Sequence, residues 1–143
     1  NLTTVIMPAT LHTLRTCTIN LIDDDPVYQL ILSRLLQNCE GRCRMRYYST
    51  GPEAIAQLSR QADDPASSPD VILLDLNLPM MNGWEVLNEI ERIPFANRPK
   101  VYILSSSIDP SDKAKAKKHP AISGFLAKPL YLEDVQSLLK AAA

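Results

Sequence analysis

Val71-Ile72-Leu73-Leu74-Asp75 lies near the middle of this 143-residue chain: four aliphatic residues in a row, then an acid. An uninterrupted apolar run of that length is the pattern of a strand covered on both faces, as in parallel sheets sandwiched between helices. Its flanks agree. Residues 62–70 (ADDPASSPD) are rich in Pro, Ser and Asp and read as a surface loop. After Asp75 a loop runs through Pro79 and Gly83 into a helix over 84–92, with Val86, Leu87 and Ile90 as its inward stripe.

The same alternation extends in both directions. Residues 18–22 (TINLI) form a short strand that runs into Asp23-Asp24-Asp25, and Pro26 suits a first helical turn. Val27, Leu30, Ile31 and Leu35 then follow the spacing of an amphipathic helix ending near Asn38. Residues 44–49 read as a second, partly polar strand. Ser49 or Thr50 can cap a helix over 53–60 with Ala54, Ile55 and Leu58 facing inward. Beyond the central helix come a strand over 101–104, a weakly apolar helix over 109–118, a strand over 124–127 and a final helix over 132–140. No internal repeat is present. Five strands alternating with five helices imply an α/β fold: a parallel, doubly wound sheet with right-handed crossovers and helices on both faces.

Composition narrows the function. The chain is 45% hydrophobic and 22% charged, ordinary for a globular protein, and one domain accounts for its length. Fifteen Lys+Arg against sixteen Asp+Glu leave a formal charge of −1, which argues against a nucleic-acid partner. No apolar run approaches the roughly 18 residues of a membrane span, and the start of the chain lacks a signal-peptide pattern. Three cysteines, Cys17, Cys39 and Cys43, are too few and too odd for a disulfide scaffold, so reduced thiols and a cytoplasmic setting are expected. Cys39 and Cys43 lack a second ligand pair for zinc. His12 and His119 receive no role, and a phosphohistidine donor is not expected.

In an open parallel sheet, ligands sit beyond the carboxyl ends of the strands. Here the first strand ends in Asp23-Asp24-Asp25, the third in Asp75 and the fourth in Ser105, while Lys128 follows the fifth. Converging carboxylates repel one another. A hard divalent cation with oxygen ligands relieves that repulsion, and Mg²⁺ is the usual choice beside phosphate chemistry. A lysine adds a compact charge for a phosphate oxygen, and an aspartate can itself attack phosphorus to form an acyl phosphate. Plainer readings exist. The three aspartates alone could cap a helix, and Ser105 to Ser107 could be a polar loop. Trp84 reads as packing and the Lys113, Lys115, Lys117, Lys118 run as a solvated face, or else a docking surface for an acidic partner. Asp75 is different, because an idle acid on a core strand would be costly.

The run Leu73-Leu74-Asp75-Leu76-Asn77-Leu78-Pro79-Met80-Met81-Asn82-Gly83 resembles the phosphorylation loop of response-regulator receiver domains, the CheY-like family of two-component signalling. The turn Ile22-Asp23-Asp24-Asp25-Pro26 and the pair Lys128-Pro129 match the family's other two signatures in the same order. The likeness covers about 18–140. It implies a flavodoxin-like strand order of 2-1-3-4-5 and Asp75 as the phosphoacceptor. It further implies Asp23, Asp24, Asp75 and the Asn77 backbone carbonyl as Mg²⁺ ligands, with Asp24 the more direct of the acid pair. Lys128 would pair with the phosphoryl group, with a cis peptide before Pro129 among the family's options. Ser105 falls at the Ser/Thr switch position and Phe125 at the aromatic one. Three features depart from the family pattern: the third acid Asp25, a long 62–70 loop, and a fourth helix rich in Ala and Lys.

The expectation is therefore an N-terminal extension over 1–16 and a receiver domain over 17–143. It would take a phosphoryl group from a sensor histidine kinase or phosphotransfer protein onto Asp75. It would then switch a face made of the fourth helix, fifth strand and fifth helix, read by a downstream protein or a second copy. No membrane or nucleic-acid partner is expected, and no enzymatic activity beyond its own phosphorylation and dephosphorylation. Two alternatives stand beside it. One is an interaction module that works without phosphorylation. The other is a Mg²⁺-dependent aspartyl phosphatase of haloacid-dehalogenase type, disfavoured because Asn77 stands where a second Asp is wanted.

Overall fold

The computed structural model describes residues 16–38, 43–106 and 109–142, so Cys39, His12, Ser107 and nearly all of the expected extension lie outside it. Ten elements alternate: β1 (Cys17–Ile22), α1 (Pro26–Gln37), β2 (Cys43–Tyr48), α2 (Gly51–Gln61), β3 (Val71–Asp75), α3 (Gly83–Arg92), β4 (Lys100–Ser105), α4 (Pro110–Lys118), β5 (Ile122–Ala127) and α5 (Leu132–Ala142). The strands form one sheet in the order β2-β1-β3-β4-β5, and every neighbouring pair is parallel. The fold class and strand order are those expected.

β3 occupies the centre because it has no polar residue to present to solvent before Asp75. Side chains alternate across a strand, which splits the run into two layers. Val71 and Leu73 face a core with Ile19, Leu21, Leu32, Leu36, Leu104, Val135 and Leu138. Ile72 and Leu74 face the other, with Ala54, Leu58, Val86, Leu87, Ile90 and Ile103. All four β3 aliphatics are fully buried, each worth roughly 2 kcal/mol relative to an exposed position.

Helix starts follow local chemistry. Asp25 caps α1 by accepting from the Val27 amide, and Thr50 caps α2 by accepting from Glu53. Asn82 and Glu85 make a reciprocal capping box on α3, and Asp109 caps α4. The inward face of α1 differs from the spacing read in the sequence. Leu32 and Leu36 are buried, whereas Val27 and Leu30 are more than half exposed. Five aliphatics at 30, 31, 32, 35 and 36 support two offset stripes, and the capped entry from β1 sets which one turns to the sheet. Among the described residues no helix is long and apolar enough to cross a membrane.

Candidate functional site

Because β1, β3, β4 and β5 run in the same direction, their carboxyl ends open on one edge of the sheet. Asp23 follows β1 directly, Asp75 ends β3, Ser105 ends β4 and Lys128 follows β5. Asp23 and Asp75 are buried. The Lys128 ammonium bridges them, 2.7 Å from Asp23 Oδ2 and 3.2 Å from Asp75 Oδ2, with its side chain only 5% exposed. Chain positions far apart in sequence thus meet around one cation.

The remaining oxygens are held by backbone. The Asp25 amide donates to Asp23 Oδ1 at 2.9 Å and the Asn77 amide to Asp75 Oδ1 at 3.0 Å. Each acid is therefore fixed by the N–H two residues on, the local pattern that favours Asp in turns. The Asp23 amide donates to the Tyr48 carbonyl, and the Lys128 amide to the Ser105 carbonyl. These bonds anchor the site to β2 and β4. Opposite the acids, the α3 start presses on β3: a Cβ on Gly83 would lie 2.6 Å from the Asp75 carbonyl oxygen and 2.6 Å from Leu76 Cα. Only glycine fits so close a backbone approach.

Burial, reinforced by the neighbouring Asp23 carboxylate, raises the pKa of Asp75 above the ordinary carboxylate value; the Asn77 amide and Lys128 offset only part of this. Burial alone would lower Lys128, but the hydrogen bond and charge of Asp23, with those of Asp75, outweigh it and raise its pKa. The site is a charged lysine set between two buried acids, of which Asp75 is short of compensation.

Asp24 is exposed at the mouth. It offers a carboxylate oxygen that lies within 4.8 Å of oxygens from Asp23 and Asp75. Asp23 Oδ2 is buried, with the Lys128 ammonium 2.7 Å away as its partner. Three clustered carboxylates, an all-oxygen donor set, suit a hard cation such as Mg²⁺ rather than a soft one.

The structure brings together Asp23, Asp24, Asp75 and Lys128. Ser105, 1% exposed, joins them through its backbone carbonyl. Asn77 is exposed on the loop after Asp75. Phe125, on edge strand β5, is half-buried against the core layer that also holds Ile103 and Ala116. Two site neighbours escaped the sequence reading. Tyr28 places its ring 4.1 Å from the Lys128 ammonium, and Gln29 donates to the Asp23 carbonyl at 3.1 Å. Both lie in the first turn of α1 beyond its cap, where helical phase is the only available signal. Asp25 is the capping residue, as its position before Pro26 suggested. The Lys128–Pro129 peptide is cis.

The family model for the response regulator receiver domain matches residues 19–140. The nitrate/nitrite response regulator protein NarL of Escherichia coli K12 is 33% identical over 126 residues, which cover 88% of this chain and 54% of NarL. The chain thus spans about half the length of that relative. A two-component response regulator from Cytophaga hutchinsonii superposes with a TM-score of 0.78 at 27% identity, covering 90% of this chain and 97% of that one. The receiver domain of the sensor histidine kinase PA1611 from Pseudomonas aeruginosa PAO1, solved with a magnesium ion in its active-site cleft, shares the fold with a TM-score of 0.72 at 24% identity over 88% of this chain and 96% of that one. From the strand-end acids, the lysine bridging them and the family match over nearly the whole described chain, this protein belongs to the response regulator receiver domain family.

Proposed function

We propose that the chain is a phosphoacceptor that receives a phosphoryl group on Asp75 from the phosphohistidine of a sensor histidine kinase or phosphotransfer protein. The observation that carries this is the convergence of three carboxylates and Lys128 at the carboxyl edge of the sheet. In the step, an Asp75 carboxylate oxygen attacks phosphorus, the P–N bond breaks, and the electron pair returns to the leaving imidazole. The product is an acyl phosphate on Asp75. Asp23, Asp24, Asp75 and the Asn77 carbonyl are the residues that would hold Mg²⁺, which would neutralise charge on the transferring group. The PA1611 receiver domain supports this assignment, as a relative of the same fold that binds the ion.

This chain's own groups supply the rest. The Asn77 amide fixes one Asp75 oxygen and so orients the other. Lys128, free to trade its Asp75 contact for a phosphoryl oxygen, keeps its Asp23 contact and stays charged. Ser105, buried at the end of β4, would donate to the same phosphoryl group, and Phe125 would turn further into the core in response. That coupled movement would bias the α4–β5–α5 face between two states that a downstream protein or a second copy reads. We take 17–143 as the receiver unit and 1–16 as an extension to it, in a cytoplasmic protein whose only chemistry is on itself.

Incubation with acetyl phosphate and Mg²⁺ tests the reading by intact mass. A single phosphoryl adduct on the native chain and none on Asp75→Asn is the expected result. An unmodified native mass, or an adduct that survives Asp75→Asn, overturns it and favours a module that binds without phosphorylation.

A further inference from the structure

At the other end of the same strands, far from the acids, two thiols face each other. Cys17 opens β1 and Cys43 opens β2, and they are direct Cα partners in the parallel ladder. Adjacent strands lie about 4.8 Å apart, inside the roughly 4.4–6.8 Å Cα separation that a disulfide tolerates. Both side chains turn to the same side, packing against the core between the sheet and helices α1 and α5. Both are half-buried and neither is in a disulfide.

We propose that Cys17 and Cys43 form a reversible dithiol–disulfide site, a second covalent-modification site on this domain that is closed by a low-molecular-weight disulfide such as oxidised glutathione. The Cys43 thiolate attacks one sulfur of that disulfide and expels a glutathione thiolate, which takes up the proton Cys43 lost. Cys17, deprotonated in turn, attacks Cys43 sulfur in the mixed disulfide and expels the second glutathione. Two protein thiols are oxidised, one disulfide is reduced to two thiols, and the proton count balances.

The Cys43 thiol is poised for the first attack. A hydrogen bond from Cys17 holds its pKa below the ordinary value, outweighing burial and the nearby Asp70 carboxylate. The bridge closes a loop that contains the whole of α1, so it acts mainly by restricting the unfolded chain. It must also draw two Cβ atoms together from ordinary strand spacing. That favours a bond that glutathione can reopen over a permanent one. The plainer reading is two thiols acting as small hydrophobes at a strand edge.

Equilibration of the full chain in glutathione redox buffers separates the two. After alkylation and tryptic digestion, the expected product is the 16–34 peptide joined to the 43–44 dipeptide, cleaved again by dithiothreitol. The Cys39 peptide, 35–42, should be alkylated, and Cys39→Ser should bridge as the native chain does. Oxidation should raise the unfolding midpoint by several degrees, a rise absent in Cys17→Ala and in Cys43→Ala. Bridging through the 35–42 peptide, glutathione retained on Cys43 without a bridge, or three alkylated thiols at the most oxidising ratio each overturn the proposal.

Discussion

With the Lys128 ammonium 2.7 Å from Asp23 and 3.2 Å from Asp75, removing that one charge leaves two acids facing each other in a nearly dry site. Lys128→Ala should therefore cost about 3 kcal/mol at neutral pH, as breaking a buried ion pair does. Asp75→Asn should act in the opposite sense. A carboxyl whose pKa is raised by folding contributes stability that is complete below its unfolded value, near 3.8, and lost as pH rises through the higher folded value. The neutral amide keeps that contribution at all pH. Asp75→Asn should thus be more stable than the native chain at neutral pH, with the gain vanishing below the unfolded value. Urea midpoints measured from acid to neutral pH check both effects, and an Asp75→Asn chain no more stable than the native one at neutral pH would show that Asp75 is better compensated than the geometry indicates.

At the scale of elements, α4 is the one whose attachment needs explaining. Its Lys- and Ala-rich sequence buries only Ala116, too little apolar surface to dock a helix by itself. Packing on β5 is supplemented by contacts from α3. The Trp84 indole donates to Asp112 Oδ1 at 3.1 Å, and Lys115 places its ammonium 4.3 Å from the Trp84 ring. Trp84 is packing, as its position at a helix start suggested, but it packs one helix to the next. A double-mutant cycle of Trp84→Phe and Asp112→Ala, read by chemical unfolding, should give a coupling of about 1 kcal/mol. Additive losses would mean that α4 is held by other contacts. Since α4 belongs to the proposed output face, the same pair should also set how readily that face moves.

The molecule as a whole brings the ends of β1 and β3 to one mouth, so a cation bound there ties the two strands and stabilises the native state only. At free Mg²⁺ a hundredfold above its dissociation constant, the gain is about 2.7 kcal/mol, roughly 3 °C per kcal/mol for a domain of this size. Asp24 gives a clean control because it is exposed. Asp24→Asn should leave stability without metal within about 0.5 kcal/mol while removing most of the Mg²⁺-dependent rise. Thermal unfolding with and without Mg²⁺ measures it; an undiminished rise would place the cation elsewhere.

What the chain alone determined is its alternation. The continuous apolar run of β3, the Asp, Thr and Asn caps and the Pro-rich loop each act over a few residues, so they are legible without coordinates. The strand-end acids and Lys128 could be nominated for the same reason, since a strand's last residue is a local property. Other features only the tertiary structure decided. The phase of α1, with Leu32 and Leu36 inward rather than Val27 and Leu30, depends on how the capped helix leaves β1. Tyr28 over Lys128, Trp84 against Asp112 and Cys17 beside Cys43 join residues on different elements. Strand order and helix packing create such contacts, and no local spacing encodes them.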